Sequence, residues 1–247
     1  MKTLLIGNGY WGSIVKKKLE SLTNLLYVAN SKDNLEDVLN RFDVDYVFVC
    51  TPTNTHYEIV KKCISHGKNV FCEKPFTGDV FKANELYRMA EINNVRIFVD
   101  NVFLYRKEYI NIVNKKFNSI KFIWNKYEEF FKESLFNSLL YHDLYLLFGL
   151  SDNEWDVKTC NYLDDKLYLL LVSDNLKSEF IYDRTFLGNK EKKILMDDTL
   201  IDFSNPINDP LFEIINNLNN NNINFINNKN VTLKTINFLN KIQNNKK

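Results

Sequence analysis

Across the first hundred residues, short runs of consecutive apolar positions alternate with segments whose apolar residues recur every three or four positions. The runs Thr3–Ile6, Leu25–Ala29, Tyr46–Cys50, Asn69–Cys72 and Arg96–Val99 read as strands. Gly12–Ser21, Leu35–Phe42, Thr55–His66 and Val80–Asn93, between them, read as amphipathic helices. A strand that is apolar along its whole length loses water on both faces, and the intervening helices supply the cover. The pattern predicts an α/β domain built on a doubly wound parallel sheet, the Rossmann arrangement, over residues 1–100.

Beyond residue 100 the pattern changes. A helix near Glu108–Phe117, a strand at Ser119–Tyr127 and a strongly apolar helix at Leu135–Phe148 come first. Strand-like runs then follow one another with only turns between: Trp155–Leu163, Lys166–Val172, Lys177–Tyr182, Lys190–Met196 and Thr199–Phe203. Consecutive strands without crossover helices predict a mostly antiparallel sheet, hence a second, α+β domain over 101–247. Two helices, near Pro210–Leu218 and Val231–Gln243, close the chain and are grouped with that second domain.

Composition narrows the partners. A formal net charge of +1 over 247 residues gives no electrostatic reason to bind nucleic acid or an anionic membrane. No apolar run has the length of a membrane span, and the N-terminus lacks a signal-peptide core. Cys50, Cys63, Cys72 and Cys160 show no paired spacing, which fits reduced thiols in a cytoplasmic protein and offers no metal site. Asparagine is abundant toward the C-terminus, and Asn219–Asn222 reads as a surface loop within a general compositional bias.

Three of the seven glycines fall in one turn, Gly7-Asn8-Gly9-Tyr10-Trp11-Gly12, between the first strand and the first helix. A lone Gly-x-Gly-x-x-Gly is a weak signal, but strand before and helix after is the context that a dinucleotide loop requires. Gly7 permits the tight turn, Gly9 admits a pyrophosphate close to the backbone, and Gly12 lets helix and strand touch. The second strand should end at the adenosine ribose, where NAD-binding chains place a carboxylate. Here Asn30-Ser31-Lys32 follows it. Ser31 and Lys32 suit a 2′-phosphate, Asn30 suits a free 2′-hydroxyl, and Asp33 is close by; the cofactor is NAD or NADP, with the balance tilted toward NADP. A solvated loop cation accounts for Lys32 equally well.

With the glycine turn, Thr51-Pro52-Thr53-Asn54-Thr55-His56 and Glu73-Lys74-Pro75 in order, the chain resembles the Gfo/Idh/MocA oxidoreductase family. The resemblance continues through Val99–Tyr109, Ser119–Lys126, His142-Asp143 and Asn208-Asp209-Pro210-Leu211. It implies oxidation or reduction of a carbinol carbon on a sugar, cyclitol or nucleotide-sugar with NAD(P), in a homo-oligomer (dimer or tetramer). It further implies that Gly7, Asn8, Gly9, Tyr10, Trp11 and Gly12 hold the pyrophosphate, and that Thr51, Pro52, Asn54 and His56 line the cleft. Glu73 and Lys74 would reach the nicotinamide ribose, and Asn101 would lie near the nicotinamide.

Lys74 is then the proton carrier of the redox step, its direction set by Pro75, which favours an extended backbone before it. An isolated Lys-Pro suits a surface turn equally well. His142 sits in an apolar helix, where a lone histidine is ordinarily a satisfied core residue. Ser138 and Tyr145, at helical spacing, give it a polar stripe on which a proton relay can be built. Many enzymes of the family it resembles carry Asp one turn before this histidine, where this chain has Ser138, with Asn137 next to it; the resemblance thus implies that a carboxylate counter-charge is missing from the Lys74–His142 pair. Tyr105 and Arg106 are candidate substrate contacts, Arg106 for a phosphate or else as a surface cation. Phe122, Trp124, Phe130 and Phe131 read as core or sheet-face aromatics. Two other readings remain: a catalytically silent NAD(P)-binding sensor, and a reductase of a non-sugar small molecule such as an imine or polyene.

Overall fold

The computed structural model describes residues 1–127, 133–222 and 228–244, so Phe130 and Phe131 lie outside the described residues. The chain divides into two compact units, Met1–Val102 with Pro210–Asn240, and Phe103–Asp209 with Lys241–Lys247.

In the first unit β1 (Lys2–Ile6), β2 (Asn24–Ala29), β3 (Tyr46–Val49), β4 (Asn69–Cys72) and β5 (Ile97–Val99) pair in the order β2-β1-β3-β4-β5, every pairing parallel. Helices α1 (Tyr10–Leu22), α2 (Leu35–Arg41), α3 (Thr53–Ser65) and α4 (Val80–Ile92) join successive strands. Leu5, Val47, Phe48, Val70 and Phe71 are fully buried, as strands covered on both faces must be. Phe48, Phe71 and Phe98 stack across β3, β4 and β5 with centroids 4.6 and 5.4 Å apart. Side chains of Asn34 and Asp79 accept the backbone N–H groups of Glu36 and Phe81, fixing where α2 and α4 begin. The strand order reverses between β1 and β3, and at such a point a crevice opens at the carboxyl ends of the strands.

The second unit holds a six-stranded sheet. A single turn, α5 (Lys107–Ile110), replaces the longer helix expected to Phe117; turns follow it, in a segment carrying Asn111, Asn114 and Asn118, poor helix formers. The strands are β6 (Ser119–Asn125), β7 (Asp156–Tyr162), β8 (Lys166–Ser173), β9 (Leu176–Asp183), β10 (Glu191–Met196) and β11 (Thr199–Asp202). Their order is β11-β10-β6-β9-β8-β7, antiparallel except for β6 against β9. On one face Ile194, Phe122, Phe180 and Leu169 form a buried cross-strand row. The apolar helix divides into a π-helical turn, Phe136–Leu140, and α6 (Tyr141–Leu150). Tyr109 donates to the Leu146 carbonyl oxygen at 3.2 Å, and a Cβ on Gly149 would overlap the Tyr109 hydroxyl.

The closing helices α7 (Pro210–Asn219) and α8 (Lys229–Asn244), grouped by chain order with the second domain, belong through Asn240 to the first unit. The side-chain amide of Asn228, just before α8, explains the attachment. Its Nδ2 donates to the Val99 carbonyl at 2.5 Å and its Oδ1 accepts the Val99 N–H at 3.4 Å, pairing the free edge of β5. Asn101 Nδ2 donates to Thr232 Oγ1 in α8 at 2.8 Å.

Candidate active site

The glycine turn is built as its spacing requires. Gly7 takes φ +93° and donates its N–H to the Ala29 carbonyl at 2.9 Å. A Cβ there would stand 2.6 Å from the Cys50 carbonyl oxygen, so side-chain-bearing residues are excluded by both conformation and space. A Cβ on Gly12 would overlap the Gly7 carbonyl oxygen, because α1 starts against the end of β1. Gly9 differs: it has φ −71°, and nothing lies within 4 Å of where its Cβ would be. It precedes α1 with no side-chain cap, leaving the positive end of a thirteen-residue helix open beside exposed Asn8, Gly9 and Tyr10. The empty space at Gly9 and the uncapped helix end fit a pyrophosphate.

A cavity of about 490 Å³ adjoins this turn. Of the residues singled out in the sequence, Gly7, Asn30, Ser31, Thr51, Pro52 and Asn54 line it. Asp33 and Glu58 line it as well, whereas Lys32 does not. Asp33 is held in place: Oδ1 accepts the Tyr27 hydroxyl at 2.9 Å and Oδ2 the Asn30 N–H at 2.7 Å.

His56, expected along the cleft, is buried behind it. Its ring nitrogens lie 2.9 Å from the Pro75 carbonyl oxygen and 2.8 Å from that of Thr51. It ties the loop after β3 to the carbonyl of Pro75, whose peptide bond to Lys74 is cis. Glu73 follows β4 and accepts the Lys74 backbone N–H on Oε2 at 2.9 Å. Asp100, which the sequence reading passed over, follows β5 and is 1% exposed; its Oδ2 accepts the Trp11 indole N–H at 3.3 Å. Burial, then the charge of Asp100, raises Glu73 well above the usual carboxylate range, and Lys74 opposes this. Asp100 is pushed up to about 6 by burial, against the pull of Glu73 and Lys74. The first unit thus brings Trp11, Glu73, Lys74 and Asp100 together.

In the second unit His142 Nδ1 lies 2.8 Å from the Tyr145 hydroxyl, which also accepts the Phe103 N–H at 3.1 Å. The imidazole packs on Phe103, with centroids 4.5 Å apart, and is 6.0 Å from the Trp124 ring. Asp143 points elsewhere, as the helical spacing implies: Oδ2 accepts the Tyr182 hydroxyl at 2.8 Å and Oδ1 is 3.1 Å from Lys192 Nζ. Lys192 was missed. It is buried, with Nζ 3.8 Å and 3.7 Å from the ring centroids of Phe103 and Trp124, and burial lowers it to about 7 against the pull of Asp143. Alternation along β10 carried the signal, since Lys192 shares its face with Ile194 and Met196. Ser138 donates to the Ser134 carbonyl at 2.7 Å and accepts from the buried guanidinium of Arg184.

Arg106 is neither a surface cation nor open to a ligand's phosphate. It is 4% exposed, bonded to Glu108 at 2.5 Å and to the Phe203 carbonyl at 2.9 Å, and stacked 4.2 Å over the Phe203 ring. Tyr105 is likewise buried, and its carbonyl accepts from Asn208. All four cysteines are free thiols. Among the described residues no cluster of side chains could hold a metal ion, and no helix is long and apolar enough to cross a membrane.

Residues 12–101 match the family model of the Gfo/Idh/MocA oxidoreductases, described as an oxidoreductase family with an NAD-binding Rossmann fold. An uncharacterized oxidoreductase of Schizosaccharomyces pombe, C115.03, is 42% identical over 66 residues, 27% of this chain and 18% of that protein. The alignment therefore spans less than a fifth of that relative's length. Among solved structures, UDP-N-acetylglucosamine 3-dehydrogenase GnnA from Acidithiobacillus ferrooxidans superposes with a TM-score of 0.86 at 16% identity, over 98% of this chain and 96% of that one. The WlbA (WbpB) dehydrogenase from Thermus thermophilus, solved with NAD and UDP-GlcNAcA, gives 0.83 at 13% identity, over 97% and 93%. At such identities the structures speak for the fold alone, and the similarity to the Gfo/Idh/MocA oxidoreductases is carried by the Rossmann segment 12–101, which begins at the last glycine of the turn described above.

Proposed function

We propose that the chain is a nicotinamide-dependent oxidoreductase acting on a carbinol or carbonyl carbon of a sugar or nucleotide-sugar. The observation that carries this reading is the crevice of the first unit, where an open helix end, a space kept clear by Gly9 and the Glu73–Lys74 loop converge. A bound dinucleotide supplies the hydride acceptor or donor. The chain's residues do the rest. The α1 end and the glycine backbone hold phosphate, Lys74 takes the proton of the reacting hydroxyl, and His142 hydrogen-bonds that hydroxyl, its ring oriented by Tyr145 and Phe103. The cofactor reading turns to NAD. Asp33 and Glu58 are among the residues that line the cavity and Lys32 lies outside its lining, so a 2′-phosphate would meet acidic residues. The free thiols accord with a cytoplasmic protein, and the six-stranded sheet with a surface for a homo-oligomer.

A screen of sugars and nucleotide-sugars, following nicotinamide absorbance with wild type, Lys74→Ala and His142→Asn, tests the reading. Turnover in wild type that falls at least about 100-fold in Lys74→Ala supports it. Equal turnover in Lys74→Ala contradicts it. One observation favours the silent-sensor reading: Ser138 stands in place of a carboxylate and is engaged by Arg184. Tight NADH binding with no turnover in the screen is what that reading expects.

A further inference from the structure

Glu73 and Asp100 emerge side by side from the adjacent parallel strands β4 and β5; Asp100 is buried and Glu73 is partly so. Their four oxygens have few donors. The Lys74 N–H serves Glu73 Oε2, the Trp11 indole serves Asp100 Oδ2, and Asp100 Oδ1 is buried with no partner other than what the neighbouring carboxyl can offer. Two carboxylates side by side at neighbouring strand ends, one of them buried, resist ionising together, and a proton between them is the donor that the geometry lacks. Asp100 also reaches the cofactor loops: Trp11 belongs to the glycine turn, and the Pro75 carbonyl, one residue past Lys74, is joined through His56 to Thr51 on the cavity wall.

We propose that Asp100 is a positioning residue for Lys74: with Glu73 it forms one two-carboxyl acid that holds a single proton and a single negative charge, and this charge is the counter-charge of Lys74. The inference rests on the reading of Lys74 as proton carrier. It supplies within the first unit a carboxylate of the kind that Ser138 fails to supply in the second.

Among the described residues, few groups face the pair. Lys74 comes from the same loop, Trp11 from α1, Cys50 from the end of β3 and Cys72 from β4. Both thiols are raised well above the usual range by burial, and further by the two carboxylates, so they stay neutral at physiological pH. Lys74 is the cation among these groups. When its ammonium is present, the single negative charge of the pair neutralises it. When the lysine is a neutral amine, the charge is left for another cation, and an oxidised nicotinamide is one while a reduced nicotinamide is not. A cation arriving beside the pair also draws off part of its proton.

Calorimetric titration of NAD⁺ and NADH at about pH 6.5, in buffers of different ionisation enthalpy, counts that proton without any turnover. Wild type is expected to release a fraction of a proton on binding NAD⁺ and less on binding NADH. Asp100→Asn is expected to abolish the difference and to weaken NAD⁺ about 10-fold more than NADH, equivalent to about 1.4 kcal/mol. Glu73→Gln removes the same proton by the other route and decides the matter should Asp100→Asn fold poorly. Asp100→Glu restores part of the difference. Unchanged proton release and an unchanged NAD⁺ to NADH ratio in both Asp100→Asn and Glu73→Gln would overturn the proposal. A wild type that turns over no substrate yet shows the proton release would count against the proton-carrier reading of Lys74 while upholding the acid pair.

Discussion

Replacing Gly9 by alanine separates the glycine kept for a ligand from those kept for the fold. At Gly9 the backbone, φ −71° and ψ −166°, is open to alanine, and the new methyl meets nothing within 4 Å. Alanine is a poorer residue than glycine at the start of a helix, but it restricts the unfolded chain more, so the two terms oppose and leave stability within about 1 kcal/mol of wild type. Gly12→Ala instead drives a Cβ into the Gly7 carbonyl oxygen, a backbone atom that moves only if strand and helix part, and costs about 1–3 kcal/mol. The methyl at Gly9 occupies the space where a pyrophosphate must approach the backbone. NADH affinity should fall about 100-fold, close to 2.7 kcal/mol. Urea denaturation and NADH calorimetry on both variants measure the two quantities. Gly9→Ala binding NADH as wild type does, or losing as much stability as Gly12→Ala, would refute the reasoning.

Four further outcomes follow from the contacts described above. Lys192→Met leaves Asp143 buried without its cation and should lower stability by about 3–5 kcal/mol in urea, with Lys192→Met/Asp143→Leu recovering much of the loss. Because Lys192 is lowered to about 7 in the fold, the unfolded chain holds that proton to higher pH. Wild-type stability should therefore rise between pH 7 and the ordinary lysine value of 10.5, and Lys192→Met should lack the rise. Asn228→Ala exposes the edge of β5 and should cost about 1–3 kcal/mol by the same assay. Asp33→Ser removes a carboxylate from the cavity and should shift the NADPH to NADH affinity ratio about 10-fold toward NADPH.

The Rossmann unit was legible because its inner strands β1, β3 and β4 are covered on both faces, so apolar runs mark them directly; β4 falls on Asn69–Cys72, as read. The glycine turn was legible for the same local reason, since Gly7, Gly9 and Gly12 answer to contacts within one strand-turn-helix unit. What escaped depends on distant partners. Asp100 reads as a polar residue at a strand end, and its meaning comes only from Glu73 and Trp11 brought beside it by the sheet. Arg106 reads as exposed until Glu108 and the Phe203 carbonyl enclose it. The closing helices show an apolar face but not which sheet it covers, and a single amide, Asn228, ties them to β5. Lys192 was within reach, because period-two alternation puts it on the buried face of β10; its abundance of lysine neighbours, Lys190 and Lys193, hid it.

Everything in this reading depends on the crevice between β1 and β3 holding a nicotinamide dinucleotide. Calorimetric titration of the wild-type chain with NADH and, separately, with NADPH tests that most directly. The predicted result is one saturable site per chain, with NADH bound more tightly than NADPH. Absence of binding by both dinucleotides to the folded chain would contradict it.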